Sequence, residues 1–112
     1  MNIKYQTVLD TLYIYLDGEL DECSAVKIRG YLDKVIEENL IVKKAVFNLS
    51  NLQFMDSTGI GLLIGRYKKL TNVGVKCYIE NPTPTVQRVL EVSGLYGLMP
   101  KIGWGEKWKI TF

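Results

Sequence analysis

Apolar and polar positions alternate over residues 3–9 and again over 12–17, with Asp10-Thr11 between them. That period predicts two strands joined as a short hairpin. In the second run Leu12, Ile14 and Leu16 fall on one side and Tyr13 and Tyr15 on the other, so one face reads as core and the other as amphipathic. Asp17-Gly18-Glu19-Leu20-Asp21 reads as a loop. From Ser24, a suitable N-cap, the period changes to 3.6. Ala25, Ile28, Leu32, Val35 and Ile36, with Tyr31 beside them, predict a surface helix over about 25–39.

Residues 44–49 form a short, mostly apolar strand candidate, followed by a polar turn at Ser50-Asn51. A second helix is predicted over about 58–71, with Ile60, Leu63, Ile64, Tyr67 and Leu70 as its buried stripe and Asn72 or Gly74 as its left-handed end. Residues 75–80 are another strand. A turn at 81–84 leads to a third helix over about 84–93, with Pro84 in its first turn and Gly94 closing it. The segment 97–112 is glycine-broken, and Lys107 to Phe112 alternates like a strand. The order β-β-α-β-α-β-α implies an α/β fold. Its mixed sheet has four or five strands, and right-handed crossovers gather the helices on one face. Tyr13, Tyr15, Tyr78, Trp104 and Trp108 are the candidates to shield the other.

Length and charge narrow the possibilities without naming one. The 112 residues, 47% of them hydrophobic, make one domain over 1–112. A net charge of +2 with basic residues only in pairs (Lys43-Lys44, Lys68-Lys69) gives no nucleic-acid footprint. No apolar run approaches the roughly 20 residues a bilayer span needs, and Asn2 to Gln6 leads straight into a strand rather than a signal peptide. The expectation is a cytoplasmic protein with Cys23 and Cys77 reduced. Histidine is absent, which removes the commonest general base, the serine–histidine triad and most zinc sites. No catalytic residue, cofactor or metal is expected.

The least generic stretch is Phe54-Met55-Asp56-Ser57-Thr58-Gly59-Ile60-Gly61. Asp56 or Ser57 can cap the helix by accepting from free backbone N–H groups. Capping leaves Gly59, Gly61 and Gly65 unaccounted for, although each costs about 0.5–1 kcal/mol in a helix interior. Either the helix packs against a neighbouring backbone, or the glycines make a smooth surface for a protein partner. Gly61 and Gly65 share a side with Leu62 and Arg66, away from the apolar stripe, and this favours the partner surface. A nucleotide cradle fits poorly, because Gly59-x-Gly61-x-x-x-Gly65 lies inside the helix and matches no phosphate-loop spacing. A phosphate bonded covalently to Ser57 is physically easier. It would face the positive end of the helix dipole and free N–H donors, and it would break a close interface by charge and bulk.

At these residues the chain resembles the STAS family, specifically the bacterial anti-sigma factor antagonists. Residues 54–61 and Leu63-Ile64-Gly65-Arg66-Tyr67-Lys68 resemble its signature, Gly18-Glu19-Leu20-Asp21 a second family segment, and Asn81-Pro82, Val89-Leu90 and Ser93-Gly94-Leu95 a third. The resemblance covers about 3–96; members usually finish with an amphipathic helix, unlike 97–112 here. It implies a single STAS domain that is a ligand and substrate, not a catalyst. The unmodified protein binds an anti-sigma factor that is also a serine kinase and so frees a sigma factor. The kinase phosphorylates Ser57, and a serine phosphatase reverses it. Asp21, Asp56, Ser57, Thr58, Gly59, Gly61, Leu62 and Gly65 are the implied partner-binding residues. A non-switching STAS scaffold and a small nucleotide-binding protein are the alternatives.

Overall fold

The computed structural model describes residues 1–103. The elements run β1 (Asn2–Val8), β2 (Thr11–Leu20), α1 (Glu22–Glu37), β3 (Lys44–Met55), α2 (Ser57–Thr71), β4 (Lys76–Glu80), α3 (Pro84–Ser93), a single 3₁₀ turn (Leu95–Gly97) and the short β5 (Lys101–Ile102). The five strands form one sheet in the order β1-β2-β3-β4-β5. β1 and β2 are antiparallel, and the other neighbours are parallel. The expected α/β architecture and mixed sheet are present. The candidate strand at 107–112 and both tryptophans lie outside the described residues.

β2 and β3 carry the core because both of their faces are covered. Leu12, Ile14 and Leu16 of β2 and Ala45, Phe47 and Leu49 of β3 are at most 1% exposed and pack with the three helices. The opposite face holds Tyr13, Val46 and Ile102, with Tyr15 and Tyr78 against them. On that face Asn48 Nδ2 donates to Glu80 Oε1 at 2.6 Å across β3 and β4.

Two strands outrun the sequence expectation for one shared reason. The turn expected at Ser50-Asn51 and the loop expected at 17–21 are instead paired to each other, Asp17 opposite Asn51 and Leu20 opposite Met55. β3 absorbs one extra residue between Asn48 and Asn51 and another between Leu52 and Phe54. Each bulge shifts the inward side by one position, so the buried residues fall at Leu49, Leu52 and Met55 instead of on alternate positions. Burial of Leu52 and Met55 outweighs the turn preference of Ser-Asn. The β1–β2 turn also lies one residue early, at Leu9-Asp10, with Leu9 at φ 54° and largely exposed. A bulky side chain is strained there, and Leu9→Gly is expected to raise stability by about 0.5–1 kcal/mol in a urea titration.

The helices keep their predicted faces but not all of their caps. Asp21, not Ser24, caps α1; Ser24 is the third helical residue and closes a reciprocal capping box. α2 starts from an Asp56 cap. Its buried face is wider than the apolar stripe, taking in Gly59, Leu62 and Arg66 while Ile64 and Tyr67 are half-buried. α1 packs along that flank, which the period of α2 alone does not reveal. α3 matches its expected span, with Thr83 as cap, Pro84 first, and Gly94 at φ 77° ending it. Among the described residues no helix is long and apolar enough to cross a membrane.

Candidate functional site

The site is assembled where two strand ends meet two helix starts. β2 ends at Leu20 and β3 at Met55, side by side, and Asp56 N donates to Leu20 O at 3.3 Å. The next residues of each strand are therefore neighbours, and both are helix caps. Asp56 accepts from Thr58 N at 2.9 Å and Gly59 N at 3.2 Å. Asp21 Oδ1 accepts from Ser24 N at 2.9 Å, Asp21 N donates to Ser24 Oγ at 3.0 Å, and Ser24 Oγ donates to Glu19 O at 2.7 Å. The Ser24 backbone bond is the main reason the Asp21 carboxyl titrates below its ordinary value. Its cap therefore stabilises α1 fully above the ordinary aspartate range and is lost as pH falls through the lowered value.

Asp21 and Asp56 line one open hollow of about 600 Å³ together with Cys23 and Lys27. The sequence placed them together only through family resemblance; the strand pairing supplies the physical reason. Ser57 is the first residue of α2 and is exposed, because Asp56 does the capping. Ser57 faces a second hollow with Ile60, Arg88 and Val92. Thr58 is also exposed, and it lines a groove with Val26, Arg29, Gly61, Gly65 and Arg66.

The three glycines divide into two kinds. A Cβ on Gly59 would stand 2.7 Å from Met55 Cγ, 2.9 Å from Leu20 Cγ and 3.0 Å from Leu20 O. Gly59 is buried, and close packing on the paired strand ends accounts for it. At Gly61 and Gly65 a Cβ would meet nothing within 4 Å, so packing does not account for them. The expectation that Leu62 and Arg66 lie with these glycines on a surface away from the core needs correction. Leu62 is 8% and Arg66 3% exposed, both covered by the α1 flank. Arg66 Nε pairs with Asp33 Oδ1 of α1 at 2.9 Å, and Lys69 Nζ with Asp33 Oδ2 at 3.1 Å. Arg29, Arg88 and the largely exposed Val26 belong to the site's surroundings and were missed, since only the packing of α1 and α3 beside α2 brings them in.

Both cysteines are free thiols, Cys23 exposed and Cys77 buried. Burial pushes the Cys77 thiol up to about 12. Iodoacetamide at pH 8 is therefore expected to label Cys23 alone in the native protein, and Cys77 only after denaturation, as read by intact mass.

These features (a mixed five-stranded sheet, a cap–serine–threonine–glycine helix start, and an aspartate cap beside it) define a class. The chain belongs to the STAS-domain family, whose pattern matches residues 2–104. It is 38% identical over 100 residues to the anti-sigma F factor antagonist of Paenibacillus polymyxa, a match covering 89% of this chain and 85% of that protein. Its fold superposes on the anti-sigma factor antagonist SpoIIAA in its unphosphorylated form with a TM-score of 0.76 at 32% identity, covering 96% of this chain and 94% of the other. It is also similar to the phosphorylated form of the Bacillus cell fate determinant SpoIIAA, with a TM-score of 0.70 at 30% identity, covering 99% and 100% of the two chains.

Proposed function

We propose that this protein is an anti-sigma factor antagonist whose state is set by phosphorylation of Ser57. The observation that carries the reading is the division of labour at the start of α2. Asp56 makes the cap by accepting from Thr58 N and Gly59 N, leaving the adjacent Ser57 exposed at the positive end of the helix. In the unmodified state the surface around Asp21, Asp56, Ser57, Thr58, Gly61 and Gly65 engages an anti-sigma factor and so releases a sigma factor in the cytoplasm. Gly59 and Leu62 support that surface from beneath.

The anti-sigma factor is also the kinase. Ser57 Oγ attacks the γ-phosphorus of ATP, its proton passes to a base on the kinase, and ADP leaves. The antagonist contributes only the acceptor hydroxyl and its position. The phosphate gains from the helix dipole, and its charge of nearly two, next to Asp56, repels the partner surface. A serine phosphatase hydrolyses the ester and restores binding. Likeness to relatives named anti-sigma factor antagonists, and to a protein solved with and without phosphate, supports the reading.

Ser57→Asp is expected to weaken binding to the cognate anti-sigma factor by about a hundredfold or more while moving Tm by no more than a few degrees, since an acidic residue in a first helical turn is neutral to mildly stabilising. Calorimetry and circular dichroism read the two quantities. Unchanged affinity, or a stable complex indifferent to the substitution, would instead mark a non-switching scaffold.

A further inference from the structure

Arg66 lines the groove between α1 and α2, yet it is only 3% exposed. Its Nε stands 2.9 Å from Asp33 Oδ1 as an ion pair, yet Nε and Nη1 are both buried with no hydrogen-bond partner among the described residues. A buried guanidinium N–H without an acceptor is costly, and folded proteins leave few of them. Asp33 is already shared with Lys69 at 3.1 Å, and Arg29 lines the same groove. Asp33 therefore serves two cations, Arg66 and Lys69, with Arg29 as a third on the same groove. Burial pushes the Arg66 guanidinium down in pKa; Asp33 opposes the shift and Arg29 adds to it. The groove has a volume of about 450 Å³. Gly61 and Gly65, one helical turn apart, leave open space where side chains would stand.

We infer that this groove is an acid-reading subsite, in which an aspartate or glutamate side chain of the anti-sigma partner lies over Gly61 and Gly65 and completes the hydrogen bonding of Arg66, with Arg29 at the rim. The inference rests on the antagonist reading above. A guanidinium offers a planar fork of donors that matches a carboxylate. The occupant is a protein surface rather than a free anion because the neighbouring hollow has the opposite sign. Val26 borders both, and the hollow beyond it carries Asp21, Glu22 and Asp56 against the single cation of Lys27. A partner presenting a base to that hollow and an acid to the groove satisfies both and can dock in one orientation only.

The test measures affinity of the cognate anti-sigma factor for the full chain at low and moderate salt. Arg29→Glu, at an exposed position, leaves the fold intact and is expected to weaken binding about tenfold at low salt, with the loss shrinking as salt rises. Asp33→Asn is expected to lower Tm and yet tighten binding severalfold, because it frees Arg66 for the partner's carboxylate. A purely structural Arg66 predicts the reverse, since loosening the seam would weaken binding. Arg29→Glu within twofold of wild type, or weaker binding by Asp33→Asn, overturns the inference while leaving the antagonist reading intact. Failure of the wild-type chain to bind overturns both.

Discussion

Gly59→Ala is expected to destabilise the domain by about 2 kcal/mol, lowering Tm by roughly 10 °C in a thermal melt. Helix propensity alone predicts the opposite sign, a gain of about 1 kcal/mol for glycine to alanine within a helix. Geometry decides against propensity. The new methyl would lie 2.7 Å from Met55 Cγ, 2.9 Å from Leu20 Cγ and 3.0 Å from the Leu20 carbonyl oxygen. Leu20 is fully buried, Met55 is 2% exposed, and the Leu20 oxygen accepts from Asp56 N. None of the three can withdraw without disturbing the junction that sets the two caps side by side. Gly61→Ala and Gly65→Ala meet nothing within 4 Å. Each is expected to raise stability by about 0.5–1 kcal/mol while weakening the partner complex, which separates packing glycines from surface glycines in one set of melts and titrations.

The seam between α1 and α2 supplies the second large effect. Asp33→Asn is expected to cost about 2–3 kcal/mol in a urea titration, because it leaves the always-charged Arg66 buried opposite a neutral amide. The side chain of Arg66 is 4% exposed and that of Asp33 20%, so the penalty falls short of that for a fully buried pair. Arg66→Met is expected to cost less. Asp33 then keeps Lys69 at 3.1 Å and stays partly in water, and methionine refills much of the volume. Equal losses from the two substitutions would show that the pair acts through volume rather than charge.

Local signals carried most of the architecture. Period-two alternation marked β1 and β2, and period 3.6 marked the first two helices. Pro84 and Gly94 bounded α3 as their chemistry dictates, and the Thr83 cap emerged only in the structure. The misses share a cause. The outer halves of β2 and β3, from Asp17 and from Ser50, look like loops because each is stable only against the other, and two bulges hide their alternation. Ser24 reads as a cap because it is a good capping residue; Asp21 does the capping because it follows the last paired residue of β2. Of the candidate site, the serine and its cap were legible locally. The different roles of Gly59 and of Gly61 and Gly65 were not, because all three cost a helix the same and only neighbours distinguish them. Arg66 misled for the same reason, since one helix's period cannot say that a second helix lies along its polar side.

One hydroxyl, exposed because its neighbour makes the cap, is expected to decide whether this surface is open to its partner. The direct measurement is to incubate the protein with its cognate anti-sigma factor and ATP, map the phosphate by tandem mass spectrometry, and measure the affinity of the purified phosphoprotein. A single phosphate on Ser57, its absence in Ser57→Ala, and an affinity loss of about a hundredfold or more with the fold retained are the expected results. Phosphate on Thr58 or another residue, or a Ser57 phosphoprotein that binds as tightly as the unmodified chain, would contradict the account.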